Sequence, residues 1–193
     1  MSGPETFRFL NEERSVTTAA DWDRPDVPML WRYNLHYFDD LAAERALERA
    51  DWHSTLVDHW LRDNPAPRGT GWDPYPTSLR IVNWIKAAIG GWPLSEATLA
   101  SLVQQTHWLS RRIEWHLLGN HLIANAKALL YAGLFFDSPE TDRHLATAQR
   151  ILRTQLAEQC LADGGHFERS PMYHAIILED VLDMINEIGR AHV

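Results

Sequence analysis

What the chain has little of narrows its class first. Its 193 residues hold one cysteine, Cys160, so no disulfide can form within it. Cys160 sits inside a helical pattern, and a small core side chain is its expected role. No run reaches the roughly 18 apolar residues that a membrane-spanning helix needs. The opening residues, MSGPETFRFLNEERSV, place no apolar run after a basic start, so they do not read as a signal peptide. Basic charge is also scarce. Lys and Arg total 18 against 26 Asp and Glu, a net charge of −8. That leaves no footprint for nucleic acid, although a local cluster of Arg and His can invert the field inside a cleft. Metal chemistry lacks its spacings: no CxxC or HxxxH occurs, and His116 and His121, five apart, fall off one helical face. Motifs for a nucleophilic Ser or Cys are missing too. No cofactor is implied.

What is present points to helices. Apolar residues make up 45% of the chain, enough for one substantial domain with a real core. Residues 1–30 read as irregular. The aromatic stretch LWRYNLHYFDDL, residues 30–41, has no period of two and is not a strand. Helical patterns run from Asp39 to Asp63, from Ser78 to Ile89, over 96–117 behind a Ser95 cap, over 121–136, over 139–161, and from Pro171 to Gly189. Asn64-Pro65, Gly90-Gly91 and Ser138-Pro139 punctuate them. This gives about six helices, no convincing strand, and short loops that make neighbours antiparallel: an all-α chain of helix hairpins. The stretch 121–136 is apolar almost all round and should be buried on most sides. Nine tryptophans are many for this length. Most should fill gaps between helices, and at least one should offer an exposed platform for a sugar ring.

Polar residues gather at three loop or helix starts. Glu114, His116, Asn120 and His121 form one group. His166, Glu168, Arg169, Tyr173 and His174 form a second, and Trp72, Asp73, Tyr75, Arg80 and Asn83 a third. Carboxylates from Asp73, Glu114, Glu168 or Asp180 leave a glycoside hydrolase pair open, though no spacing singles one out. Asn120, His121 and Tyr173 suit another reaction. An Asn can steady the charge that builds on a carboxylate when the adjacent carbon loses a proton, and a Tyr among cationic neighbours can serve as base and then acid. Those are the needs of β-elimination on a uronic acid.

The segments LWRYNLHYFDDL, WDPYPTSLRIVNWIK, GNHLIANAKALLYAGLFF and DGGHFERSPMYHAIILEDVLD together resemble the heparinase II/III family of polysaccharide lyases. The resemblance covers most of residues 30–188, and the last two segments are its more specific part. It implies an incomplete (α/α) toroid over 31–193 after an irregular segment 1–30. The family's C-terminal β-sandwich, and a further catalytic His on it, have no counterpart in these residues. By motif, Asn120 would neutralise the uronate carboxylate, His121 would assist there or in proton transfer, and Tyr173 would be base and acid. His116, Glu168, Arg169 and His174 would contact substrate, with Trp72, Tyr75, Arg80 and Asn83 in the cleft. The implied partner is an acidic polysaccharide, with self-association through exposed helix faces. The implied location is the periplasm or outside the cell, or the cytoplasm if the chain is complete as given. A non-catalytic glycan-binding or exopolysaccharide-assembly module is the alternative.

Overall fold

The computed structural model describes residues 1–117 and 119–191. It forms two compact units, Met1–Trp108 and the residues from Leu109 onward. Among the described residues, no helix is long and apolar enough to cross a membrane.

The first unit opens on a hairpin. Strand β1 (Thr6–Phe9) pairs antiparallel with β2 (Glu12–Ser15), Phe7 opposite Arg14. Leu10 and Asn11 turn the chain with φ of 53° and 64°, as a tight two-residue hairpin requires. Phe7 is buried, Phe9 meets Trp31 edge-on at 5.2 Å, and the Trp31 indole N–H donates to the Glu12 carbonyl at 3.1 Å. The expected irregular segment and the expected absence of strands are therefore corrected. Four-residue strands show too little alternation to be read, and a tryptophan outside the segment holds them down.

Helix α1 (Met29–Tyr37) occupies the aromatic stretch and ends at Phe38 in the left-handed region. Two 3-10 turns, Asp39–Ala42 and Ala46–Arg49, then precede α2 (Ala50–Asp63), where one continuous helix was expected. Leu47 is 64% exposed on the second turn. Helix α3 (Pro74–Ile89) starts at Pro74 rather than Ser78, because its prolines lie in the first turn, where helical N–H groups lack partners anyway. Helix α4 (Glu96–Ser110) starts as read, with the Ser95 hydroxyl accepting the Thr98 N–H at 3.1 Å. It ends before 117, and Val103 is exposed on it.

The core of this unit is built on Trp60. Its indole N–H donates to His36 Nδ1 at 3.0 Å, and His36 Nε2 lies 3.2 Å from the Trp22 carbonyl. Since Nδ1 accepts, the ring proton is on Nε2 and the imidazole is neutral. Gly71 makes room for the ring, since a Cβ there would lie 2.7 Å from Nδ1. Arg80 stacks over Trp60 with its guanidinium 4.0 Å from the ring centre, and it has no exposed surface. Its Nε donates to Gln105 Oε1 at 2.8 Å and its Nη1 to the His36 carbonyl at 3.3 Å. Trp72 and Trp84 pack against Trp60 at 5.8 and 5.7 Å. Helix α3 is thus buried on more than one stripe.

In the second unit, α5 (Gly119–Phe135) packs against α6 (Pro139–Gln159) and α7 (Pro171–Ala191). Seven α-helices are described in all, one more than expected, because α1 was left unassigned. Alanines on α5 let α6 close in, and at Gly133 a Cβ would lie 2.6 Å from Leu145 Cγ. Lys127, inside the supposedly apolar run, is buried and donates to Asp180 at 2.8 Å and Asp183 at 2.6 Å, which joins α5 to α7. Burial works against its charge, yet the two carboxylates hold its pKa above the ordinary value. Ile177 and Met184 face inward on α7, whereas Ile185 and Ile188 are exposed. Cys160 is exposed rather than buried, because the helix ends at Gln159.

Two outcomes follow for the first unit. Replacing Arg80 with Lys keeps the charge but loses the planar fork. We expect a loss of about 2 kcal/mol in denaturant unfolding, from weakened stacking and unmatched acceptors. His36 sets a pH dependence. Burial, aided by the Arg80 charge, pushes its pKa down from 6.5 to about 3. The unfolded chain therefore binds the extra proton below pH 6.5. Stability is full above that pH and falls as pH drops toward 3, by up to about 1.4 kcal/mol per pH unit. Unfolding at pH 7 and pH 5 should show this slope, and His36→Gln should flatten it.

Candidate functional site

Two segments of the second unit carry the candidate residues. The first is the turn before α5. Arg111–Leu117 leaves the helical path, and Gly119 enters α5 with φ +57°, a left-handed conformation that suits glycine. Asn120 and His121 then sit in the first helical turn, both partly exposed. Behind them Glu114 is buried, at 6% exposure. Asn125 clamps it from one turn further along α5: its amide N–H₂ donates to Glu114 Oε2 at 3.1 Å, and its carbonyl accepts the Glu114 backbone N–H at 2.9 Å. The same carboxylate oxygen lies 3.1 Å from His121 Nδ1.

The second segment is the loop from α6 to α7. It closes on itself through a bridge between Cys160 and His166, with Leu161 N–H donating to the Gly165 carbonyl and Phe167 N–H to the Gln159 carbonyl. Gly164 turns it at φ +83°, and Asp163 accepts the Gly165 N–H at 2.9 Å. His166 is buried beneath, its Nε2 3.1 Å from Gln159 Oε1. The Gln159 amide donates in turn to Gln155, so His166 carries its proton on Nε2. Tyr173 stands on the first turn of α7, half-buried, its ring 6.3 Å from that of His166. His174, exposed, helps line a hollow of about 120 Å³ with His166, Cys160 and Ile177.

The two segments meet. Glu168 Oε1 lies 3.5 Å from where a Gly119 side chain would begin, so the loop that carries the Tyr173 motif rests on the turn that carries Asn120 and His121. Arg169, left-handed at φ +54°, and His116 are exposed nearby in sequence.

The remaining candidates belong to the first unit. Trp72 and Arg80 are buried in its core and offer a ligand no surface. Their role there is to build the tryptophan cluster, which corrects the expectation of direct contact. Tyr75 packs edge-on against Tyr37 at 6.0 Å, and Asn83 donates to the Tyr37 carbonyl and to Asp39. Both keep part of their surface. A separate hollow of about 390 Å³, lined in part by Leu41, Arg45, Lys86 and Trp92, contains none of the candidate residues.

The residues that sequence reasoning missed are polar ones inside apolar helix. Asn125 and Lys127 were both absorbed into a run read as apolar. Asp180, weighed as a catalytic carboxylate, pairs with Lys127 instead. Among the tryptophans, Trp115 is the exposed one, at 49%, with the Arg150 guanidinium 5.3 Å from its ring. A platform was expected, but no pattern selected that residue.

A heparin-sulfate lyase of Pedobacter heparinus is 31% identical over 145 residues, covering 69% of this chain and 22% of that protein. A heparin-sulfate lyase of Bacteroides thetaiotaomicron is 28% identical over 134 residues, covering 63% and 19% respectively. The chain thus spans about a fifth of the length of these curated relatives. The crystal structure of heparan sulfate lyase HepC from Pedobacter heparinus superposes with a TM-score of 0.75 at 23% identity, over 97% of this chain and 33% of that one. That likeness shows the fold, the helix hairpins of an incomplete (α/α) toroid. The Heparinase II/III N-terminus family matches residues 44–192, and the chain belongs to that family.

Proposed function

We propose that this chain carries the toroid part of a polysaccharide lyase site, which cleaves uronate-containing acidic polysaccharide by β-elimination. The observation that supports it most is the seating of Glu168 on Gly119, because it lays the Tyr173 segment onto the Asn120-His121 turn. In this reading the Asn120 amide donates to the uronate carboxylate and stabilises the enolate-like charge, which supplies the larger share of the rate. Tyr173 takes the C5 proton and returns one to the leaving oxygen, a contribution of roughly 10²–10⁴. His121 works beside Asn120. His116, Glu168, Arg169 and His174 hold neighbouring sugars, and Trp115 gives a ring face for stacking.

The test is the ultraviolet absorbance of unsaturated uronate ends, on a panel that includes heparan sulfate, heparin and alginate. At least one polymer should give product. Tyr173→Phe should lower turnover by at least about 10²-fold while leaving polysaccharide binding unchanged. Binding without product, from the chain alone and from the chain supplied with the β-sandwich part of a family member, would replace the lyase with a glycan-binding module.

We also propose self-association. Leu178, Leu182 and Ile185 are each about half exposed or more along α7, and burying that apolar face against a second copy would drive it. Size exclusion with light scattering should show mass rising with concentration. A monodisperse monomer at all concentrations would refute this.

A further inference from the structure

We infer that Trp115 and Arg150 form a subsite for one acidic sugar: the tryptophan ring takes the sugar's C–H face, and the guanidinium takes its carboxylate or sulfate. The inference draws its polymer class from the lyase reading, while the surface itself comes from the fold. Trp115 keeps 49% of its surface open, and the Arg150 guanidinium lies 5.3 Å from its ring centre. The two residues come from different segments, the turn before α5 and helix α6. Thr141, Ala148, Ile151, Gln155 and Gln159 make the buried stripe of α6, and Arg150 stands exposed on the side away from it.

Charge sets Arg150 apart. Elsewhere an exposed arginine meets an acid close by in sequence: Arg24 reaches Asp26 at 2.5 Å, Arg45 reaches Glu48 at 2.7 Å and Arg62 reaches Asp63 at 2.7 Å. Among the described residues Arg150 meets no carboxylate, and its described contact is the Trp115 ring. The positions three and four away on α6 hold Ala146, Thr147, Arg153 and Thr154. Arg153 is exposed as well and adds a like charge on the same side, an arrangement that an anion between the two relieves. In a chain of net charge −8 this is a local reversal of sign.

The tryptophan is held ready for a ligand. Its backbone N–H donates to the Ile113 carbonyl at 2.9 Å, and Asn125 fixes the preceding residue, Glu114, at both backbone and side chain. A ring set out on a fixed backbone gives up little freedom on binding. The planar fork of an arginine matches two oxygens of a carboxylate or sulfate, and the indole face beside it keeps the fork in place. Trp115 stands five residues ahead of Asn120, so the subsite flanks the turn that carries the candidate chemistry.

The test measures binding of the whole chain to immobilised heparin, alginate and neutral dextran at low salt. The wild type should bind heparin or alginate and leave dextran unbound. Arg150→Gln and Trp115→Ala should each raise Kd about tenfold. The double variant should exceed the weaker-binding single by no more than about twofold, since both residues serve one sugar. Arg150→Lys should recover only part of the loss, because it restores charge without the fork. Losses on heparin alone assign the sulfate, and losses on alginate as well assign the carboxylate. Arg150 is exposed, so Arg150→Gln decides the matter even where Trp115→Ala does not fold. A Kd within about twofold of wild type for Arg150→Gln on both polymers overturns the inference, as does a wild-type chain that binds neither. An equal loss on single-stranded DNA makes the pair a general polyanion surface and overturns the sugar assignment. Unsaturated product with Kd unmoved by the variants faults the subsite alone. Kd raised by the variants with no product faults the lyase reading alone.

Discussion

A positive charge sealed into a box of tryptophans is the constraint on which the first unit depends. Arg80 has no carboxylate against it among its described contacts, so its burial must be offset in other ways. The Trp60 face supplies a quadrupole, Gln105 and the His36 carbonyl supply oxygens, and Thr77 adds a weaker contact at 3.4 Å. Burial, aided by the same charge, keeps His36 neutral, and neutrality lets His36 accept from Trp60 while reaching the Trp22 carbonyl. Helices α1, α2, α3 and α4 and the turn at Trp22 are thereby tied to one another through a few atoms. The close approach at Gly71 is the steric side of the same arrangement.

The second unit solves a related problem differently. Its central helix is apolar on almost every side, yet two polar residues one turn apart or less anchor it at both flanks. Lys127 faces two aspartates on α7, and Asn125 faces a glutamate on the turn before the helix. The first pair sets how α7 runs beside α5. The second fixes the approach to Asn120 and His121. Fold and candidate chemistry thus share the same helix, and the polar residues divide the work.

Much of this was legible in the sequence, and the failures have physical reasons. Ser95, Ser138-Pro139 and Gly90-Gly91 were readable because caps and breakers act locally. The heparinase-type segments were readable because their polar residues stand at loop ends. Arg80 was misread as a cleft residue because an arginine is seldom wholly buried, and only the tertiary neighbours Trp60 and Gln105 make its burial tolerable. Lys127 and Asn125 were hidden for the converse reason, as single polar residues do not disturb an apolar average. The hairpin at Thr6–Ser15 escaped because its support, Trp31, comes from a later helix. The end of α4 at Ser110 escaped because the apolar spacing continues through Ile113 and Leu117 although the backbone turns away.

Cys160 gains a use from its misplacement in the sequence reading. It is the sole thiol of the chain, and it is exposed on the wall of the hollow that His166 and His174 line. The chain therefore comes with a single natural attachment point for a fluorophore or spin label, at the edge of the loop that leads to Tyr173. No competing cysteine has to be removed first, so the surroundings of that rim can be followed optically or magnetically in the unaltered polypeptide.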